Sequence, residues 1–281
     1  MTIERVVFLA GGIGILDSGV GGLTVVKEVF RQLPLEEVIY IGDSARCPYG
    51  SRPTHEIHTF TLQMIDFLLQ FEPKAIVIAC NTATAVVLEE VKRKISIPVI
   101  GVIEPGARAA IRETKSNRIG VIGTLGTIRS RMYEKVLRKT HPDLSITSLA
   151  CPGLVPLVED GHRKMEDAFQ IVQRELEPLK NISLDTLILG CTHYPIIVDL
   201  IQKAVGDDVV LISSAEETAS ELSSILALNH QLVSEHREPS HRFFTTGSPD
   251  AFRKIAEDWL KRKIDVTQVT LDHPISERLS S

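Results

Sequence analysis

The feature that most limits the fold is a pattern that occurs twice. "AIVIACNTAT" (75–84) and "TLILGCTHYP" (186–195) each run an apolar stretch into a small residue, a cysteine and then polar, helix-compatible sequence. An unbroken run of Ile, Val and Leu with no alternation suits a strand buried on both faces, as in a parallel sheet covered by helices. "VIYIGD" (38–43), "RIGVIGT" (118–124) and "DVVLIS" (208–213) read the same way. Amphipathic stretches lie between them. Leu23, Val26, Phe30 and Leu33 form one face, stopped by Pro34, and Ile57, Phe60, Met64, Phe67, Leu68 and Phe71 form another, ending before Pro73. A helix from Ser213 or Ser214 opens with a capping box to Glu216 or Glu217. Phe252, Ile255, Ala256, Trp259 and Leu260 make a late helical face before the strand-like "DVTQVTL".

Strands alternating with helices predict an α/β fold with mainly parallel sheets. The duplicated pattern predicts two similar domains, each presenting a cysteine at the carboxyl end of a strand. Ligands of open parallel sheets bind at those ends. A chain of 281 residues can supply two such cores. Its net charge of −5 argues against a general nucleic-acid binder, and no apolar run approaches the ~20 residues of a membrane helix. The start, "MTIERVVFLAGG", lacks a clearly basic leader region, so a cytoplasmic protein is expected.

Chemical motifs narrow the reading. The early glycines do not fit G-x-G-x-x-G after a strand, and no G-x-x-x-x-G-K-[ST] is present. "GTLGT" (123–127) offers an anion cradle without the lysine of a phosphate loop. Cys, His and carboxylate spacing matches no familiar metal motif. Asp17, Ser18 and His193 could furnish hydrolase chemistry, but no G-x-S-x-G elbow exists. Asp17 and Ser18 can equally be helix caps. Free cysteines are usually core residues. Cys80 and Cys191 stand apart from Cys47 and Cys151 because each ends a strand before a predicted helix, whose N-terminus favours a thiolate. Two opposed thiols suit inversion of a carbon centre, one removing a proton from one face and the other returning one to the opposite face.

Seven segments, "GILDSGVGGLTV" (14–25), "YIGDSARCPYG" (40–50), "ACNTATA" (79–85), "GVIEPGARAA" (101–110), "GTLGTIRS" (123–130), "CPGLVPLVE" (151–159) and "LGCTHYP" (189–195), carry a further signal. Together and in this order they resemble the cofactor-independent aspartate/glutamate racemase superfamily, and within it the glutamate racemases. The resemblance implies interconversion of L- and D-glutamate, a supply of D-glutamate for bacterial peptidoglycan, and commonly a homodimer. It implies two α/β domains related by a pseudo-twofold axis, about 1–102 plus 213–281 and about 103–212, with the active site in the cleft between them. By the same resemblance Cys80 and Cys191 are the acid/base residues, the first acting on D-glutamate and the second on L-glutamate. Asp17, Glu159 and His193 match groups that assist them. Ser18, Tyr49, Gly50, Asn81, Thr82, Thr124, Thr127 and Thr192 match substrate contacts, and Asp17 is placed to meet the ammonium group. His193 after Cys-Thr favours glutamate over aspartate, where relatives more often carry Glu. No pyridoxal phosphate or other cofactor is implied. A racemase of another amino acid and a binding protein that has lost catalysis are the competing readings. The extension "MTIERVVFLAGG" before the Asp-Ser motif departs from the family, and its "VVFLA" reads as an extra strand, an arm or an added sequence.

Overall fold

The computed structural model describes residues 11–159, 167–234, 238–271 and 279. The "VVFLA" extension therefore lies outside the described residues. β1 (Ile13–Asp17), β2 (Val38–Gly42), β3 (Ala75–Ile78) and β4 (Val99–Gly101) alternate with α1 (Leu23–Gln32), α2 (Thr54–Leu69) and α3 (Asn81–Lys94). α4 (Ile103–Glu113) leads to a second sheet of β5 (Arg118–Gly123), β6 (Ser145–Ala150), β7 (Thr186–Gly190) and β8 (Val210–Ile212). Its connections carry α5 (Leu125–Ser130), α6 (Met132–Thr140), α7 (Leu154–Glu159), α8 (Ala168–Leu176) and α9 (Val198–Val205). α10 (Ser214–Leu228) returns the chain to the first sheet, where β9 (Arg242–Thr245), α11 (Pro249–Leu260) and β10 (Val266–Gln268) complete it.

All strand pairs are parallel. The first sheet runs β10-β9-β2-β1-β3-β4 and the second β6-β5-β7-β8. The segments β2-β1-β3-β4 and β6-β5-β7-β8 share one order, so β3 and β7 occupy equivalent places. That is the physical basis of the duplicated cysteine pattern. In each sheet the chain steps outward from the first strand and then crosses to its other side. A crevice opens at such a switch point, beyond the carboxyl ends of β1 and β3 and of β5 and β7.

β1, β2, β3 and β7 are buried along their whole length, which explains their unbroken apolar sequence. β8 was expected to be a buried strand, but it is a sheet edge with Val210 exposed. β6, absent from the apolar pattern, is the opposite edge, and its half-polar "SITSLA" follows from that place. The α1 face buries Leu23, Val25, Val26 and Val29, and α2 buries Ile57, Met64, Ile65 and Leu68. α10 is capped by Ser213, whose side chain accepts from Ala215 N–H, while Glu216 turns outward to Arg31. α10 packs against both α1 and α4.

Candidate active site

Residues following β1, β3, β5 and β7 converge on one cavity. It is lined by Ser18, Tyr49, Gly50, Cys80, Asn81, Thr82, Thr124, Cys191, Thr192 and His193, together with Pro48 and Val155. Only about 10 Å³ of it is open to a water-sized sphere. The first sheet supplies Cys80 and the second Cys191, and both thiols are almost wholly buried. A space this small admits no organic substrate as it stands, so some of its walls must move to receive one.

Cys80 is the N-cap of α3 in extended conformation, and its Sγ lies 3.7 Å from Ser18 Oγ. The expectation that this setting lowers its pKa is corrected. Burial, and next the negative charge of Asp17, push the thiol up to about 12, outweighing the Ala83 N–H and the Ser18 hydroxyl. Cys191 does not cap an α-helix: a 3₁₀ turn, Tyr194–Ile197, comes first and α9 begins only at Val198. Its Sγ lies instead 3.6 Å from His193 Nδ1.

His193 is buried and its other nitrogen, Nε2, lies 2.6 Å from Glu159 Oε1. Burial works to discharge the ring, but contacts with Cys191, Cys47 and Glu159 win and hold its pKa well above the usual imidazole value. Glu159 ends α7 and also accepts from Val20 N–H at 3.1 Å. Burial opposes its charge, yet His193 and Val20 keep its pKa below the ordinary value.

Asp17 does not line the cavity. Gly19 N–H donates to its Oδ2 at 3.0 Å and Thr192 Oγ1 to its Oδ1 at 3.0 Å, so both oxygens are engaged behind the cavity wall. Burial raises its pKa against the opposing pull of His193, Gly19 and Thr192. Thr82, Thr124 and Thr127 form a buried hydroxyl cluster, with Thr82 Oγ1 2.8 Å from Thr124 Oγ1 and 3.1 Å from Thr127 Oγ1. Thr124 caps α5 by accepting from Thr127 N–H, which is the local role of the "GTLGT" stretch. Tyr49 reaches the cavity with its hydroxyl committed to Asp43. Arg46 braces the same loop, bonding Asp43 and Gln63.

Two side chains that sequence reasoning passed over shape the site. Tyr40 on β2 donates to Gly19 O at 2.8 Å and fixes the turn after Asp17. Tyr133 on α6 donates to Asn81 Oδ1 at 2.7 Å. A lone Tyr in "RMYEKVL" carries no motif, so nothing in the sequence marked it.

The arrangement can move protons. Two thiols from equivalent strands share one cavity, one beside a serine hydroxyl and an aspartate, the other beside a histidine backed by a glutamate. The surrounding hydroxyls, amide and backbone N–H groups suit carboxylates.

Residues 12–222 match the family model Asp/Glu/Hydantoin racemase. The chain is 52% identical over 259 residues to the glutamate racemase of Exiguobacterium sibiricum, covering 92% of this chain and 96% of that one. The crystal structure of a glutamate racemase isoform from Bacillus anthracis superposes with a TM-score of 0.90 at 53% identity, covering 93% of this chain and 98% of that one. The glutamate racemase of Francisella tularensis, solved in complex with D-glutamate, gives a TM-score of 0.86 at 37% identity, covering 93% and 98%.

Proposed function

Because the chain belongs to the Asp/Glu/hydantoin racemase family, we propose that it interconverts L- and D-glutamate, one of Cys80 and Cys191 removing the α-proton and the other delivering its own proton to the opposite face. The observation that carries this reading is the pair of buried cysteines, presented by equivalent strands of the two sheets to one cavity. Binding alone would need neither thiol.

Proton bookkeeping follows from the surroundings. With L-glutamate, Cys191 as thiolate takes the α-proton from one face and Cys80 as thiol gives one to the other. With D-glutamate the roles exchange. The resting Cys80, held as a thiol by burial and Asp17, is ready as the acid. A substrate ammonium on the cavity side of Asp17 would offset that negative charge through the wall and ease the reverse role. His193 shuttles a proton at Cys191 Sγ, and Glu159 orients its ring. Asn81 Nδ2, Ser18, Thr82, Thr124 and the backbone N–H groups of Thr192 and Gly50 hold the carboxylates, with Thr127 behind the wall bonding Thr82. Tyr49, through its bond to Asp43, positions Gly50.

The two domains are taken as about 1–102 plus 213–281 and about 103–212, a division supported by the strands each sheet recruits. A homodimer in the cytoplasm supplying D-glutamate for peptidoglycan completes the proposal, on the strength of the resemblance.

The test is incubation of purified protein with each glutamate enantiomer in D2O, without pyridoxal phosphate, following optical rotation and α-deuterium. Racemisation with deuterium incorporation is expected. Absence of both for both enantiomers overturns the assignment.

A further inference from the structure

Cys47 takes and gives no proton in the proposed reaction, yet it meets two residues that take part in it. Its Sγ lies 3.7 Å from Glu159 Oε1, which lies 2.6 Å from His193 Nε2, and the three ligand atoms all fall within 4.8 Å of one another. We propose that Cys47, Glu159 and His193 form an inhibitory site for a thiophilic divalent cation such as zinc or cadmium. Thiolate, carboxylate and imidazole are the ordinary zinc donors. Tetrahedral coordination at their usual bond lengths separates such atoms by about 3.3–3.6 Å, so shifts of under about 1.5 Å suffice. A neighbouring cavity of about 360 Å³, lined by both Cys47 and Glu159, gives an entry path and room for a water as fourth ligand. Binding releases one proton from Cys47 and one from His193 Nε2 to solvent. Sequence spacing hid the site because its ligands come from a loop after β2, the end of α7 and the turn after β7. The ion would draw Glu159 and His193 away from Cys191 and staple the two halves together, so inhibition follows.

The test uses chelator-treated full-length protein. Cadmium titration should give one thiolate–metal charge-transfer band per chain, and zinc should inhibit racemisation reversibly. Cys47→Ala and Cys47→Ser should lose the band and raise the half-inhibiting zinc concentration about 10-fold or more, each variant being measured against its own metal-free rate. No band in the wild type, or unchanged zinc inhibition in both variants, overturns the proposal; the latter would put the ion on Cys80 and Cys191.

A different observation carries a second inference, which rests on the racemase reading. Asn81 Nδ2 is buried, has no partner among the described residues, and belongs to a side chain lining the cavity. Its Oδ1 accepts from the Tyr133 hydroxyl, which commits the phenol proton to Asn81. The geometry points to Tyr133 as a positioning residue that fixes the Asn81 amide with its N–H groups toward the substrate. Tyr133→Phe should lower kcat/KM about 10-fold, the size of one well-placed hydrogen bond to a charged group. In an Asn81→Ala background the same change should do almost nothing. Equal losses in both backgrounds would mean Tyr133 acts only on the fold and would overturn the inference. An inactive wild type would instead sink the racemase reading itself.

Discussion

Thr192 Oγ1 donates to Asp17 Oδ1 at 3.0 Å, a buried bond that ties the carboxyl end of β1 to the residue after Cys191 in the other sheet. Asp17 is thus both a latch between the halves and the charge that acts most strongly on Cys80. The same carboxylate is drawn behind the cavity wall, so it acts on bound substrate through its field. Motion that parts the halves must strain or break this latch.

Asp17→Asn separates the two roles. The amide keeps an oxygen for Thr192, gives up the acceptor of Gly19 N–H and removes the charge. Because that charge raises the Cys80 pKa, its loss should bring the thiol down from about 12. Alkylation of Cys80, followed by mass spectrometry, should then begin at lower pH. Racemisation should fall at the same time, because the ammonium has lost its counter-charge. An unchanged alkylation profile would count against Asp17 as the controlling charge.

Cys80→Ala or Cys191→Ala should each cost turnover about 10²–10⁴-fold or more, the scale of a positioned acid or base. Both side chains sit at the cavity wall, so removing sulfur should leave the circular dichroism spectrum and thermal midpoint close to wild type. Full activity in either variant would contradict the two-base reaction.

The sequence made the core strands legible because burial on both faces leaves an unbroken apolar run. It made the cysteines legible because β3 and β7 hold equivalent places and end alike. Edge strands β6 and β8 were obscured for the opposite reason: an edge tolerates polar residues. The thiol environment was misread at Cys80, where a helix N-terminus suggested a low pKa and burial with Asp17 decided otherwise. The contacts of Cys47, Tyr40 and Tyr133 were illegible, since each spans 21 or more positions of the chain.

Gly21→Ala tests how closely the halves meet. A Cβ there would lie 2.4 Å from Thr192 Oγ1 and 2.6 Å from His193 Nδ1. Neither side chain can yield without leaving Asp17 or Cys191, so the clash falls on the site. Destabilisation of about 1–3 kcal/mol is expected in urea unfolding, with kcat falling beyond what lost fold explains. Wild-type kinetics would show that the halves sit further apart in solution.

Glu159→Gln should lower the His193 pKa, because a carboxylate that favours the imidazolium is replaced by a neutral amide. NMR titration of the ring should show His193 in the variant losing its proton at lower pH than in the wild type. The high-pH limb of the activity profile should move the same way. No movement of the ring titration would remove Glu159 as its partner.

Asp185 tests the scaffold rather than the chemistry. Its carboxylate accepts from Thr114 Oγ1 at 2.7 Å, Lys115 N–H at 2.7 Å and Ser116 N–H at 2.6 Å, tying the turn after α4 to the start of β7. Burial opposes the charge, but these donors prevail and depress its pKa far below the ordinary 3.8. A depressed carboxylate stabilises the fold fully above its unfolded pKa and loses that contribution as pH falls toward the folded one. Asp185→Asn should therefore cost about 2 kcal/mol at neutral pH by urea unfolding. The gap from wild type should narrow only below pH 3.8. A gap that stays constant through that acid range would mean the loss comes from amide geometry instead of charge.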